Sequence, residues 1–118
     1  MRYQAGDVVT VYFPWRDEDG SIVMKERPAV VYEVDTVENR VLIQITSKNR
    51  SDKLPGIWVL KDSDAGKKMR LKKDSFINVS QMVNLNMRFI KRLIGFCPLM
   101  EKIQEIIEDH DIKPGDEF

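Results

Sequence analysis

At 118 residues the chain is long enough to bury a core without disulfide or metal staples, and its length suits a single domain spanning 1–118. One cysteine, Cys97, excludes an internal disulfide, and one histidine, His110, argues against His-based metal sites and most His-dependent catalysis. Nineteen basic and nineteen acidic residues cancel, which excludes a uniformly cationic protein but not a segregated one. Residues 1–40 carry a net −3 and residues 93–118 a net −5, whereas residues 41–92 carry a net +8. The middle of the chain is therefore expected to present a cationic field to phosphates. The opening "MRYQAGDVV" has no apolar h-region and no run approaches a membrane span, so a cytoplasmic protein in a reducing compartment, with no membrane partner, is expected.

In chain order, "DVVTVYF" (7–13) alternates with the period of a strand. "PWRDEDGSIVMKE" (14–26) reads as a long connection with an Asp19-Gly20 turn and a charged, mobile tip. "PAVVYEV" (28–34) is the second strand, and Arg27, biased toward extended backbone by Pro28, stands at its mouth. "DTVENR" (35–40) is a polar reversal, and "VLIQIT" (41–46) a third strand with Thr46 at its end. A basic, breaker-rich loop (47–56) leads to a short fourth strand, "IWVL" (57–60). Residues 61–74 are turn-rich and basic, and "SFINVSQMVNL" (75–85) is extended again.

The pattern then changes. "MRFIKRLIG" reads as a short helix stopped by Gly95, and Pro98 opens a second helix, "PLMEKIQEIIEDH". Leu99, Ile103, Ile106 and Ile107 give that helix one apolar stripe to lay on the strands. The tail "DIKPGDEF" is expected to fray. Fold class is thus mainly β with a C-terminal helix, a small and strongly bent sheet or barrel.

Chemistry-bearing motifs are sparse. There is no G-x-S-x-G, no P-loop, no paired-cysteine motif and no H-E-x-x-H. Cys97, with no activating base nearby in sequence, reads as a buried small hydrophobe. If strands two and three form a hairpin, Arg27 and Thr46 become cross-strand neighbours at its open end. A forked cation beside a hydroxyl makes a phosphate site. Trp15 would stack a base or fill the core, and the sequence leaves both open.

The blocks "GDVVTVYFPW", "ERPAVVYEV", "ITSKNRSDKLPGIWVL" and "LKKDSFINVSQMV", followed by "FIKRLIG" and "LMEKIQEIIE", resemble in order and spacing those of the MazF/PemK toxins. The resemblance spans about residues 5 to 108. It implies a small SH3-like β-barrel of the MazF/PemK (CcdB-like) type. It further implies a homodimeric, metal-independent and cofactor-free endoribonuclease that cuts single-stranded RNA at short sequences. An acidic antitoxin would restrain it. By motif match Arg27 and Thr46 would be catalytic, and Ser47, Lys48, Arg50, Lys53, Ser75 and Gln81 would join Trp15 as RNA contacts. The first loop, "RDEDGSIVMKE", is more charged than the usual Gly-rich form, which bears on target sequence more than on activity. Two other readings stand beside this one: a non-catalytic barrel that binds nucleic acid or protein, and a same-fold topoisomerase poison.

Overall fold

The computed structural model describes residues 2–115, apart from the side chain of Trp15. Among them are six strands: β1 (Asp7–Arg16), β2 (Ile22–Val34), β3 (Asn39–Thr46), β4 (Gly56–Val59), β5 (Ser75–Asn86) and β6 (Ile90–Phe96). Helix α1 (Asp64–Met69) lies between β4 and β5, a 3-10 turn (Met87–Phe89) joins β5 to β6, and α2 (Met100–His110) follows β6. The strands form one antiparallel sheet in the order β4-β5-β3-β2-β1-β6. Alternation along β1 divides its side chains between two buried clusters. Val8 joins Val30, Ile43, Ile45 and Ile103 of α2, while Val9, Val11 and Phe13 join Ala29, Val31, Leu42 and Leu85. A sheet that buries both faces in so small a chain must coil on itself, and this one makes a half-barrel with α2 packed on it. As expected, the apolar stripe of α2 faces the core, with Ile103 fully buried and Leu99, Ile106 and Ile107 packed beside it.

The long connection expected at 14–26 is instead mostly strand, with the expected Asp19-Gly20 turn at its tip. β1 and β2 pair continuously from Val8↔Val30 to Arg16↔Ile22. Only residues 17–21 turn, closed by Asp17 N–H to Ser21 O at 2.8 Å and Gly20 N–H to Asp17 O at 2.9 Å. Asp19 Oδ1 accepts from the Ser21 hydroxyl and, less strongly, from the Ser21 N–H, holding its carboxyl below the usual carboxylate range. Gly20 supplies the left-handed backbone, φ +85°, that lets so short a loop close. Arg27 therefore lies within β2, opposite Val11, and not one residue before a strand.

The expected helix at "MRFIKRLIG" is a strand. After the 3-10 turn, β6 pairs with β1, and the ladder slips twice, between Val8 and Val9 and between Thr10 and Val11. Each slip splices an extra residue into β6, so Ile90, Leu93 and Ile94 fall at spacings of three and one instead of two. That irregular spacing imitates a helical stripe, and pairing with the open edge of β1 overrides it. Gly95 is no helix stop: a Cβ there would lie 2.7 Å from Lys68 O and from the Met69 carbonyl, where β6 crosses the end of α1. Gly95→Val is accordingly expected to cost about 1–3 kcal/mol through overpacking. Urea titration checks this, and an unchanged midpoint would show that α1 yields freely.

Residues 61–74, expected as turns, contain α1, capped at Ser63, whose Oγ accepts from Gly66 N–H at 3.1 Å. The tail does not fray through its described part: Ile112 packs on the core and Gly115 N–H donates to Met82 O at 2.7 Å. Residues 116–118 of that expected tail lie outside the described residues. Arg40, expected in the polar reversal, is fully buried at the start of β3. Its guanidinium donates to Arg2 O (2.6 Å), Tyr3 O (2.7 Å) and Thr36 O (2.9 Å), tying the chain start to the β2–β3 turn. No described helix is long and apolar enough to cross a membrane.

Candidate functional site

The ladder between β2 and β3 begins at Ala29↔Gln44. It stops beside Pro28, which has no N–H to give. Continuing that register by two residues places Arg27 across from Thr46. β3 meanwhile keeps its pairing with β5 as far as Thr46↔Phe76. The two strands part where this pair stands, and a cleft of about 650 Å³ opens there. Its lining includes the hydroxyl residues Thr10, Thr46, Ser47 and Ser75 and the cations Arg27, Arg70, Lys72, Lys73 and Arg92, with Arg92 the strand partner of Thr10.

Five cationic side chains thus meet one carboxylate, Glu26, whose Oε2 is held by Lys91 Nζ at 3.3 Å. The net field of the cleft is positive and suits an anion. Two buried polar atoms of its wall, Arg27 Nε and Thr10 Oγ1, have no hydrogen-bond partner among the described residues. Buried donors are almost always partnered, because leaving one unmade costs about 1–3 kcal/mol. Two such groups on one basic cleft are therefore a marked departure from ordinary packing. The Thr46 hydroxyl oxygen accepts from Lys48 N–H at 3.4 Å, which leaves its own proton to donate. A guanidinium and a hydroxyl proton facing one cleft can hold the non-bridging oxygens of a phosphate.

The other residues singled out in the sequence are placed less uniformly. Ser47 is exposed on the cleft, whereas Ser75 is buried and its hydroxyl donates to Lys73 O at 2.8 Å, bracing the segment that carries Lys72 and Lys73. Lys48, Arg50 and Lys53 are exposed on the loop 47–55 and do not line the cleft. Gln81 is exposed on β5, among the residues that bulge where the partner of β3 jumps from Met82 to Asn78. The backbone of Trp15 pairs with Val23, and its side chain lies outside the described residues. Cys97 is buried and burial pushes its thiol up, which makes it a poor nucleophile. Among the described residues no three His, Cys, Asp or Glu side chains gather into a metal-ligand set.

Sequence reasoning missed Thr10, Arg70, Lys72, Lys73 and Arg92. The +8 of residues 41–92 contains the last four, but a charge count cannot say which cations converge. Thr10 left no signal at all, being one more strand residue between valines.

Comparison with known proteins agrees with this architecture. The family model described as PemK-like, MazF-like toxin of type II toxin-antitoxin system matches residues 4–109. Toxin MazF-mt6 of Mycobacterium tuberculosis is similar in structure, with a TM-score of 0.61 at 16% identity, over 91% of this chain and 98% of that one. A MazE-MazF structure from Deinococcus radiodurans is similar with a TM-score of 0.63 at 12% identity, over 93% and 97% of the two chains. At such identities these two likenesses speak for the fold alone. No curated protein matches the sequence.

Proposed function

This chain belongs to the family of PemK-like, MazF-like toxins of type II toxin-antitoxin systems, and on that premise we propose that it cuts single-stranded RNA without a metal. The observation that carries the reading is the basic cleft in which Arg27 Nε and Thr10 Oγ1, buried and without partners among the described residues, lie beside Thr46. RNA brings its own nucleophile. The 2′-oxygen bonds to the adjacent phosphorus as the P–O5′ bond breaks, leaving a 2′,3′-cyclic phosphate and a free 5′-hydroxyl. The attacking oxygen loses one proton and the departing oxygen gains one. What the protein must supply is an in-line geometry and donors aimed at the charge that grows on the phosphoryl oxygens. Arg27 takes the larger share of that charge and Thr46 donates one hydrogen bond. Arg70, Lys72, Lys73 and Arg92 hold the flanking phosphates.

The test is incubation of purified protein with single-stranded mRNA in EDTA. Discrete fragments ending in cyclic phosphate are expected, and intact RNA would overturn the reading. The Deinococcus radiodurans structure pairs a MazF with a MazE. For the present chain we likewise propose an antitoxin whose acidic segment occupies the cleft, since a groove that attracts phosphates attracts carboxylates. RNA and an acidic peptide should then compete, and simultaneous binding without loss of affinity would refute this part. The free edge of β6, where Leu93 is 56% exposed, is the proposed contact of a homodimer. Sedimentation as a clean 13.8 kDa species would remove it.

A further inference from the structure

Arg70 closes α1 in a left-handed conformation, φ 60° and ψ 39°, with its N–H facing the carbonyls of Gly66 and Lys67. That position favours glycine, because a side chain there crowds the following carbonyl. An arginine kept at such a place needs a reason, and its surroundings offer one. Arg70 and Leu71 line the cleft already described and also a second cleft of about 690 Å³ on the far side of the same turn. Lys61, Lys67, Lys68 and Phe96 line this second cleft, with Asp62 as its one carboxylate.

Phe96 ends β6 and is 52% exposed. A Cβ on Gly6 would lie 2.6 Å from Phe96 Cε1, so only a glycine lets the ring lie against that backbone. Gly6 is itself pinned, its N–H donating to Val31 O at 2.8 Å and its carbonyl accepting from Cys97 N–H at 2.7 Å. The ring is therefore a seated aromatic surface beside a row of ammonium groups. Lys67 and Lys68 in the last turn of α1 also complement its dipole, but that role requires neither Phe96 nor an arginine at a strained position.

We propose that this second cleft is a single-stranded RNA subsite continuous with the first. The strand leaving Arg27 and Thr46 crosses Arg70, its phosphates pass to Lys67 and Lys68, and one unpaired base stacks on Phe96. Seated aromatics beside a basic track are how single strands are held without regard to sequence. The inference rests on the RNA-cleaving reading and extends it by naming the path of the substrate.

The test measures binding of 2′-O-methyl oligouridylates, which lack the nucleophile, at lengths of about four and about twelve nucleotides. Wild type should bind the longer probe more tightly. Phe96→Ala, and separately the pair Lys67→Ala/Lys68→Ala, should weaken the longer probe about 10-fold and leave the shorter one unchanged. Arg70→Gly should weaken both while its melting temperature stays level or rises, the reverse of what a purely structural arginine would give. Equal affinity of wild type for the two lengths would overturn the proposal, as would unchanged binding of the longer probe by both cleft variants. If Phe96→Ala altered sedimentation and not RNA affinity, the ring would belong to a contact between copies and the proposal would fall. A wild type that bound neither probe and cut no RNA would remove the parent reading too, whereas cutting with equal affinities removes only the second cleft.

Discussion

Arg27→Ala is expected to slow RNA cleavage at least ~100-fold while leaving the protein folded and about as stable as before. The first half follows from the role given to the guanidinium, since removing one donor from a preorganised oxyanion site costs about 100- to 1,000-fold. The second half follows from packing. Arg27 lies mid-strand opposite Val11, and its buried Nε has no hydrogen-bond partner among the described residues. Deleting a donor that has no partner removes a desolvation cost and breaks no hydrogen bond. Single-turnover cleavage and a thermal melt measure the two halves separately. A folded variant that cut at near wild-type rate would take Arg27 out of the site. Arg27→Lys separates charge from fork: full rescue by lysine would mean that a point charge suffices, whereas continued loss would show that the planar pair of donors is needed. Thr46→Val keeps the shape and removes the hydroxyl, so its effect should be smaller and confined to rate.

The Arg27 and Thr46 pairing was legible in the sequence to within one rung because it depends mainly on local facts. "DTVENR" reverses the chain, the flanking runs alternate, and Pro28 marks where the ladder must stop. Counting outward from the turn brings Arg27 to within one rung of Thr46, and the extra residue that the bulge at Tyr32 splices into β2, which the sequence does not announce, closes the difference. The other cations of the cleft were not legible. Arg70, Lys72 and Lys73 reach the cleft only because α1 ends in a left-handed residue and Ser75 braces the next segment against β5. Arg92 reaches it only because β6 pairs with β1, and the two ladder slips disguise β6 as a helix. The β1–β2 hairpin was hidden differently: its exposed arms carry charge, and charge without visible alternation reads as loop although β1 and β2 pair without a break out to Arg16↔Ile22. Local signals thus brought Arg27 and Thr46 to one cleft, while the surrounding field depends on long-range pairing that no window of sequence contains.

Binding of single-stranded RNA is expected to weaken steeply with salt, and the source of the slope distinguishes two basic surfaces. Five cations line the first cleft. With about 0.7 counterions released per neutralised phosphate on a single strand, the log-log slope should approach about −3.5. Affinity would then fall about 100-fold between about 50 and about 200 mM salt. The sequence directs attention to Lys48 and Arg50, whose loop follows Thr46, but these side chains are exposed and stand off the cleft wall. Lys72 and Lys73 are on it. Lys72→Ala/Lys73→Ala should therefore flatten the slope by about 1.4, and Lys48→Ala/Arg50→Ala by distinctly less. Anisotropy titrations over a salt series give both numbers on one RNA. A larger effect from Lys48 and Arg50 would move the path of the strand onto the loop 47–55. A slope near zero would show that these cations contact no phosphate, and that the charge segregation of residues 41–92 serves the folded surface alone.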